Sequence, residues 1–178
     1  MINIVTSVCI DTEIEDESVD YPMLRLKRTN SKRETYWKCA TVLMSTVSRL
    51  CPNAKHFIFT NDPDSVNING IDVNSFLSNI GTEVRYLSFN EFKTPSNLSK
   101  RFKNAFYKHE VAYDLGKSQA GYSILLDSDC LWTKQENDVY PFLEKDKVLL
   151  YDVYERNNPF LKEPHNLSMA DMGKLFKE

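Results

Sequence analysis

Tyr122-Ser123-Ile124-Leu125-Leu126-Asp127-Ser128-Asp129 joins an apolar run to two carboxylates that share one polar neighbour. A strand with one wet face alternates apolar and polar residues, whereas a strand roofed by helices on both faces does not. The run at 122–126 therefore predicts a buried strand of a parallel sheet, with Asp127 and Asp129 leaving it at its carboxyl end.

The flanking sequence supplies the rest of such a sheet. Residues 2–10 are rich in β-branched side chains and lack a helical period, which predicts a first buried strand; an acidic loop follows at 11–20. Ser31 with Glu34 forms a capping box, and Tyr36, Ala40, Leu43, Val47 and Leu50 recur at steps of three and four, predicting an amphipathic helix that ends at Cys51-Pro52-Asn53. His56-Phe57-Ile58-Phe59-Thr60 predicts a second strand, broken by the turn Asn61-Asp62-Pro63-Asp64. A short helix is expected over Val73, Phe76, Leu77 and Ile80 with Gly81 at its C-cap, then a strand at 83–87. After Pro95 and Ser96 a longer helix is expected, with Phe102, Phe106, His109 and Tyr113 on its apolar face and Leu115-Gly116 at its end. Beyond the carboxylates the pattern predicts a short helix within 138–144, a strand at 148–151 and a last helix from Ser168 carrying Met172, Leu175 and Phe176. Alternating strands and helices predict one α/β domain over residues 1–178, with a mainly parallel sheet and right-handed crossovers.

Composition is compatible with that reading. A chain of 178 residues with 42% hydrophobic content can bury a core, and 12% aromatic residues with only 5 glycines exclude a fibrous or disordered chain. A net charge of -3 gives no general attraction to nucleic acid. The charges are segregated, with Asp11, Glu13, Glu15, Asp16, Glu17 and Asp20 ahead of Arg25, Lys27, Arg28, Lys32, Arg33 and Lys38. Such runs are ordinarily solvated faces; the alternative is an acidic loop over a basic, phosphate-binding mouth. Cys9, Cys39, Cys51 and Cys130 form no CxxC pair and read as reduced, mostly buried thiols. Met1-Ile2-Asn3-Ile4-Val5 has no basic region ahead of it, so neither a secretion signal nor a membrane span is expected, and the expected location is cytoplasmic.

In open α/β sheets ligands gather beyond the carboxyl ends of the strands. A two-residue period lets Asp127 and Asp129 point the same way while Ser128 points back. Two close carboxylates repel, and a hard divalent cation with oxygen preference relieves that repulsion; it could also bridge to a diphosphate.

With Phe106-Tyr107-Lys108-His109-Glu110 and Ala112-Tyr113-Asp114-Leu115 leading into this strand, and Phe57-Ile58-Phe59-Thr60-Asn61-Asp62 upstream, residues 1–155 resemble the GT-A type nucleotide-diphospho-sugar transferases, whose hallmark is a DxD motif after a buried strand. The resemblance implies a Rossmann-like GT-A sheet flanked by helices, a UDP- or GDP-sugar donor, Mn2+ or Mg2+ as cofactor, and sugar transfer to an unknown acceptor. It implies that Asp127 contacts the sugar or ribose and the metal, that Asp129 binds the metal directly, and that Ser128 lies in the donor site. Thr6 and Ser7 fall where the family receives the nucleoside, and Lys108 at a basic position that in some members faces the donor phosphates. Family members continue further, with acceptor-binding elements and a C-terminal metal ligand that is often His. Here 49 residues follow Asp129 and His165 is the sole histidine among them, so the acceptor-binding part is expected to be missing or minimal. Asp152, at the end of the expected strand 148–151, is a further candidate for the same crevice.

Plainer readings stand beside these. D-x-D is a common tripeptide, and its place after the apolar run is what gives it weight. Asp62 and Asp64 read as turn formers, His109 as a packing residue, Trp132 as core or as a stacking platform. An apolar strand followed by D-x-D also resembles the first motif of haloacid-dehalogenase-like phosphatases, in which Asp127 would be the nucleophile and Asp129 the acid-base. A nucleotide-sugar-binding domain without turnover is the non-enzymatic alternative.

Overall fold

The structure is a computed structural model that describes residues 2–10, 29–93, 103–118, 121–135, 137 and 140–143, with backbone alone at 29–32, 103–104 and 142. The chain divides into two compact units, Met1–Phe142 and Leu143–Glu178. The elements that follow belong to the first.

They are β1 (Ile2–Val8), α1 (Thr29–Leu50), β2 (Lys55–Thr60), the two-residue strands β3 (Asn67–Ile68) and β4 (Ile71–Asp72), α2 (Val73–Asn79), β5 (Thr82–Tyr86), a 3-10 turn (Lys103–Phe106), α3 (Tyr107–Ser118), β6 (Tyr122–Leu126) and a second 3-10 turn (Tyr140–Phe142). Four strands form one sheet in the order β5-β2-β1-β6, every neighbouring pair parallel. The chain lays β1, β2 and β5 in one direction, then crosses back to place β6 on the other side of β1. The fold is thus an α/β arrangement around a parallel sheet, with its reversal of winding between β1 and β6.

Burial follows from that order. β1 is central, and all its residues but Ser7 are buried. On one face Val5, Phe57 and Phe59 meet Tyr107, Val111 and Leu115 of α3, with Leu125 packed against the cluster. Alternation turns Ile4, Val8 and Ile58 to the other face, where α1 packs on β1, β2 and α2. Helix α1 buries Trp37, Ala40, Leu43, Met44 and Val47 there. Tyr36 and Leu50, expected on this stripe, are half-buried; Trp37 and Met44 are the inner residues instead.

β6 departs from the sequence expectation in burial. Ile124, Leu125 and Leu126 are half-buried and Ser123 is exposed, because among the described residues no strand pairs with its outer edge. Helix α3 differs too. Its inner stripe is Tyr107, Glu110, Val111 and Leu115, not the line through Phe106, His109 and Tyr113. Those rings form an outer aromatic row with Phe92, which lies 5.9 Å from both His109 and Tyr113. Aromatic residues at helical spacing imitate a core stripe, but the aliphatic pair Val111 and Leu115 fits the sheet.

Hairpin β3-β4 adds to the expected elements, and Asn69-Gly70 between Ile68 and Ile71 is a strong short-range hairpin signal. Both turn residues have positive φ, 52° and 82°. Asp72 then caps α2, accepting from Ser75 N at 2.7 Å. The acidic loop, the strand expected at 148–151 and the helix expected from Ser168 lie outside the described residues. Where a helix was expected within 138–144, residues 140–142 form a 3-10 turn.

Candidate functional site

The site is built where β6 ends. Thr6 Oγ1 donates to Leu126 O at 3.0 Å, fixing the end of β6 to its neighbour β1. The next four residues turn back on themselves, with Cys130 N donating to Asp127 O at 3.2 Å. Trp132 N then donates to Thr46 Oγ1 of α1 at 3.1 Å. The Asp127-Ser128-Asp129 segment is therefore tethered on both sides by hydroxyls that its own sequence neighbourhood does not contain.

Within the turn Asp127 and Asp129 are exposed and Ser128 is half-buried. Asp127 continues the face of Leu125, which looks toward α3. There its carboxylate forms an ion pair with the Lys108 ammonium, in the first turn of that helix. The flanking side chains hold the helix start in place. Tyr107, fully buried, donates its hydroxyl to Leu87 O at 2.6 Å, and the Glu110 carboxylate accepts from Glu91 N at 3.2 Å and Phe92 N at 3.0 Å. Burial pushes the Lys108 ammonium below the ordinary lysine value, while Asp129 and Cys130 pull it the other way. The Cys39 thiol on α1 is raised by burial and further by Asp129. The field of Asp129 thus reaches both helices.

Lys108 lies 19 residues before Asp127 in the chain, so the two carboxylates read without a basic partner in the local sequence. Helix α3 supplies that partner. Among the described residues no group of three or more His, Cys, Asp or Glu side chains could hold a metal by itself. Exposed hard oxygens on two carboxylates nonetheless suit Mg2+ or Mn2+ of the kind that keeps water and takes phosphate oxygens from its substrate, rather than an all-protein cage.

The remaining sequence candidates distribute as follows. Thr6 and Ser7 lie inside β1; Thr6 is fully buried with its hydroxyl on Leu126, so it braces the site, and Ser7 is half-buried. Asp152 and His165 lie outside the described residues. Asp62 is buried and holds the carboxyl end of β2 to α1, accepting from Arg33 Nε at 2.7 Å, Arg33 Nη2 at 3.1 Å and Trp37 Nε1 at 2.9 Å. Arg33 also donates to the carbonyl of Asp64 at 3.1 Å, and Lys38 pairs with Glu34. Arg33 and Lys38, two members of the basic run, are thus already neutralised by side chains of this chain. His56 is buried against Cys51 O at 2.9 Å.

One clasp escaped the sequence reading. Asn61 Oδ1 accepts from Ile10 N at 2.7 Å and Asn61 Nδ2 donates to Ile10 O at 2.8 Å, tying the exits of β1 and β2 together. Its only sequence signal is an amide directly after an apolar strand. A cleft of about 500 Å³ opens on the opposite flank of the sheet, between α2 and β5, lined by Thr60, Asp62, Asn74, Thr82, Val84 and Tyr86 among others. None of its described lining residues is basic, which makes it a poor receptor for a diphosphate, and the two carboxylates lie outside it.

Comparison of the chain with protein-family models, with curated proteins and with solved structures finds no match. Among the described residues no helix is long and apolar enough to cross a membrane.

Proposed function

We propose that this chain is a metal-dependent glycosyltransferase of the GT-A kind, binding a UDP- or GDP-sugar at the end of β6 and passing the sugar to an acceptor. The observation that carries the reading is the position of Asp127 and Asp129: a tethered turn at the reversal of winding between β1 and β6, where open parallel sheets gather ligands.

In this reading Asp127 and Asp129 hold Mn2+ or Mg2+, which when bound supplies charge neutralisation for a departing nucleoside diphosphate. Lys108 offers a second positive charge beside the same turn, suited to phosphate oxygens. Ser128 presents a hydroxyl within the turn for the sugar or ribose. Thr6 and the Thr46–Trp132 bond hold the chain on either side of the turn.

Thermal unfolding with a panel of UDP- and GDP-sugars, with and without Mn2+, tests the proposal. A ligand that binds only the native state at a hundred times its Kd adds about 2.7 kcal/mol of stability. The expected result is stabilisation by one class of donor in the presence of Mn2+ and none in EDTA. Equal shifts in EDTA would remove the metal from the reading.

A further inference from the structure

The Lys108–Asp127 ion pair puts an ammonium on one of the two carboxylates that the proposed function assigns to the metal. The ammonium repels a divalent ion at the same carboxylate, so the two compete for Asp127. We propose that Lys108 is an exchangeable counter-cation: it satisfies Asp127 while the turn is empty and transfers to the donor's diphosphate when a divalent ion takes the carboxylate. This rests on the reading of Asp127 and Asp129 as metal ligands.

Charge balance is the argument. Two carboxylates against one ammonium leave the empty turn with a single surplus negative charge. A divalent ion alone turns that into a surplus of positive charge beside an ammonium that cannot move far, since Tyr107 and Glu110 anchor the helix turn that carries it. A nucleotide sugar's diphosphate, with its two negative charges, returns the site to the single surplus negative charge of the empty turn and gives Lys108 a new partner. Metal and diphosphate should therefore each bind poorly alone and well together, coupled directly where the ion takes phosphate oxygens and further through Lys108. Coupling of this kind is reciprocal, and typically changes affinity by roughly five- to 150-fold. The half-exposed Lys108 side chain can be replaced without opening a cavity.

Mn2+ binding, followed by the loss of the free-ion electron paramagnetic resonance signal beyond that caused by the nucleotide alone, separates the outcomes in the wild-type chain, Lys108→Met and Lys108→Arg, each with and without UDP or GDP. In the wild-type chain the nucleotide should tighten Mn2+ binding by about tenfold or more. Lys108→Met should bind Mn2+ alone several-fold more tightly than the wild type and lose part of the nucleotide's effect, while Lys108→Arg should retain all of it. A lysine that only pairs with Asp127 would also strengthen Mn2+ binding on removal but would leave the nucleotide's effect intact, which would overturn the exchange. If Lys108→Met binds Mn2+ alone no better and keeps the full nucleotide effect, the exchange is wrong although the metal site stands. If no variant binds Mn2+ under any condition, the metal reading falls and takes the exchange with it.

Discussion

Thr6 Oγ1 and the Leu126 carbonyl oxygen are joined across neighbouring parallel strands at 3.0 Å, one residue before the first carboxylate of the turn. Thr6 is fully buried, so its hydroxyl exchanges solvent for this one acceptor. Thr6→Val keeps the shape and removes the donor. It should cost about 1 kcal/mol of stability and weaken Mn2+-dependent nucleotide binding, because the end of β6 then lacks its anchor. Thr6→Ser should lie close to the wild type in both measurements. Chemical denaturation together with ligand-induced thermal shifts checks this; a Thr6→Val chain as stable as the parent would deny the bond any structural weight.

Asp62 sets an acid limit on the fold. Burial alone would raise its carboxyl, but hydrogen bonds from Arg33 and Trp37 and the Arg33 charge outweigh burial and hold it below the ordinary value. A carboxyl depressed in the folded state adds stability that is fully present above its unfolded value near pH 4 and fades as pH falls through the lower folded value. Stability measured from pH 6 downward should thus decline below about pH 4, and Asp62→Asn should flatten part of that decline. Arg33→Met, which leaves the carboxylate with Trp37 but without its charge partner, should cost about 1–3 kcal/mol at neutral pH. An unchanged acid profile in Asp62→Asn would assign the decline to other groups.

Periodicity and local chemistry make the sheet's strands and its helices legible in the sequence. Residues 124–126 and 57–59 are unbroken apolar runs, and Gly81 and the Pro52 region mark helix ends in the usual way. Facing was harder. Around α3 the rings of Phe106, His109 and Tyr113 keep helical spacing as well as Tyr107, Val111 and Leu115 do, and only packing against Val5, Phe57 and Phe59 of the sheet chooses between them. The turn with Asp127 and Asp129 was legible because its chemistry is local. Lys108, Thr6 and Thr46 act on it through tertiary contacts, which a linear pattern does not record.

Asp129→Asn removes one charge from the proposed metal site while keeping its shape. Asp129 is exposed, so the fold should lose less than about 0.5 kcal/mol. Mn2+-dependent stabilisation by the preferred nucleotide sugar should vanish, since a hard divalent ion loses a carboxylate ligand. Circular dichroism melts with and without ligand report both quantities. A variant that binds metal and nucleotide as the parent does would move the site elsewhere.

Asp127 separates sugar transfer from phosphoryl transfer, because the two chemistries ask different things of it. A phosphatase needs its carboxylate as a covalent nucleophile, and the side chain, 59% exposed beside Lys108, is open to attack on a phosphorus centre. Such an enzyme would hydrolyse a generic aryl phosphate, lose that activity in Asp127→Asn, and retain a metal-fluoride mimic of the phosphoryl group. A transferase needs Asp127 only as a ligand. It should leave the aryl phosphate intact and slowly hydrolyse its preferred nucleotide sugar in the presence of Mn2+, with water in the place of the acceptor, and Asp127→Asn should abolish that slow hydrolysis. We expect the second pattern. Aryl phosphate turnover that depends on Asp127 would overturn the transferase reading, and Mn2+-dependent nucleotide-sugar binding without hydrolysis of either substrate would make the chain a donor-binding domain.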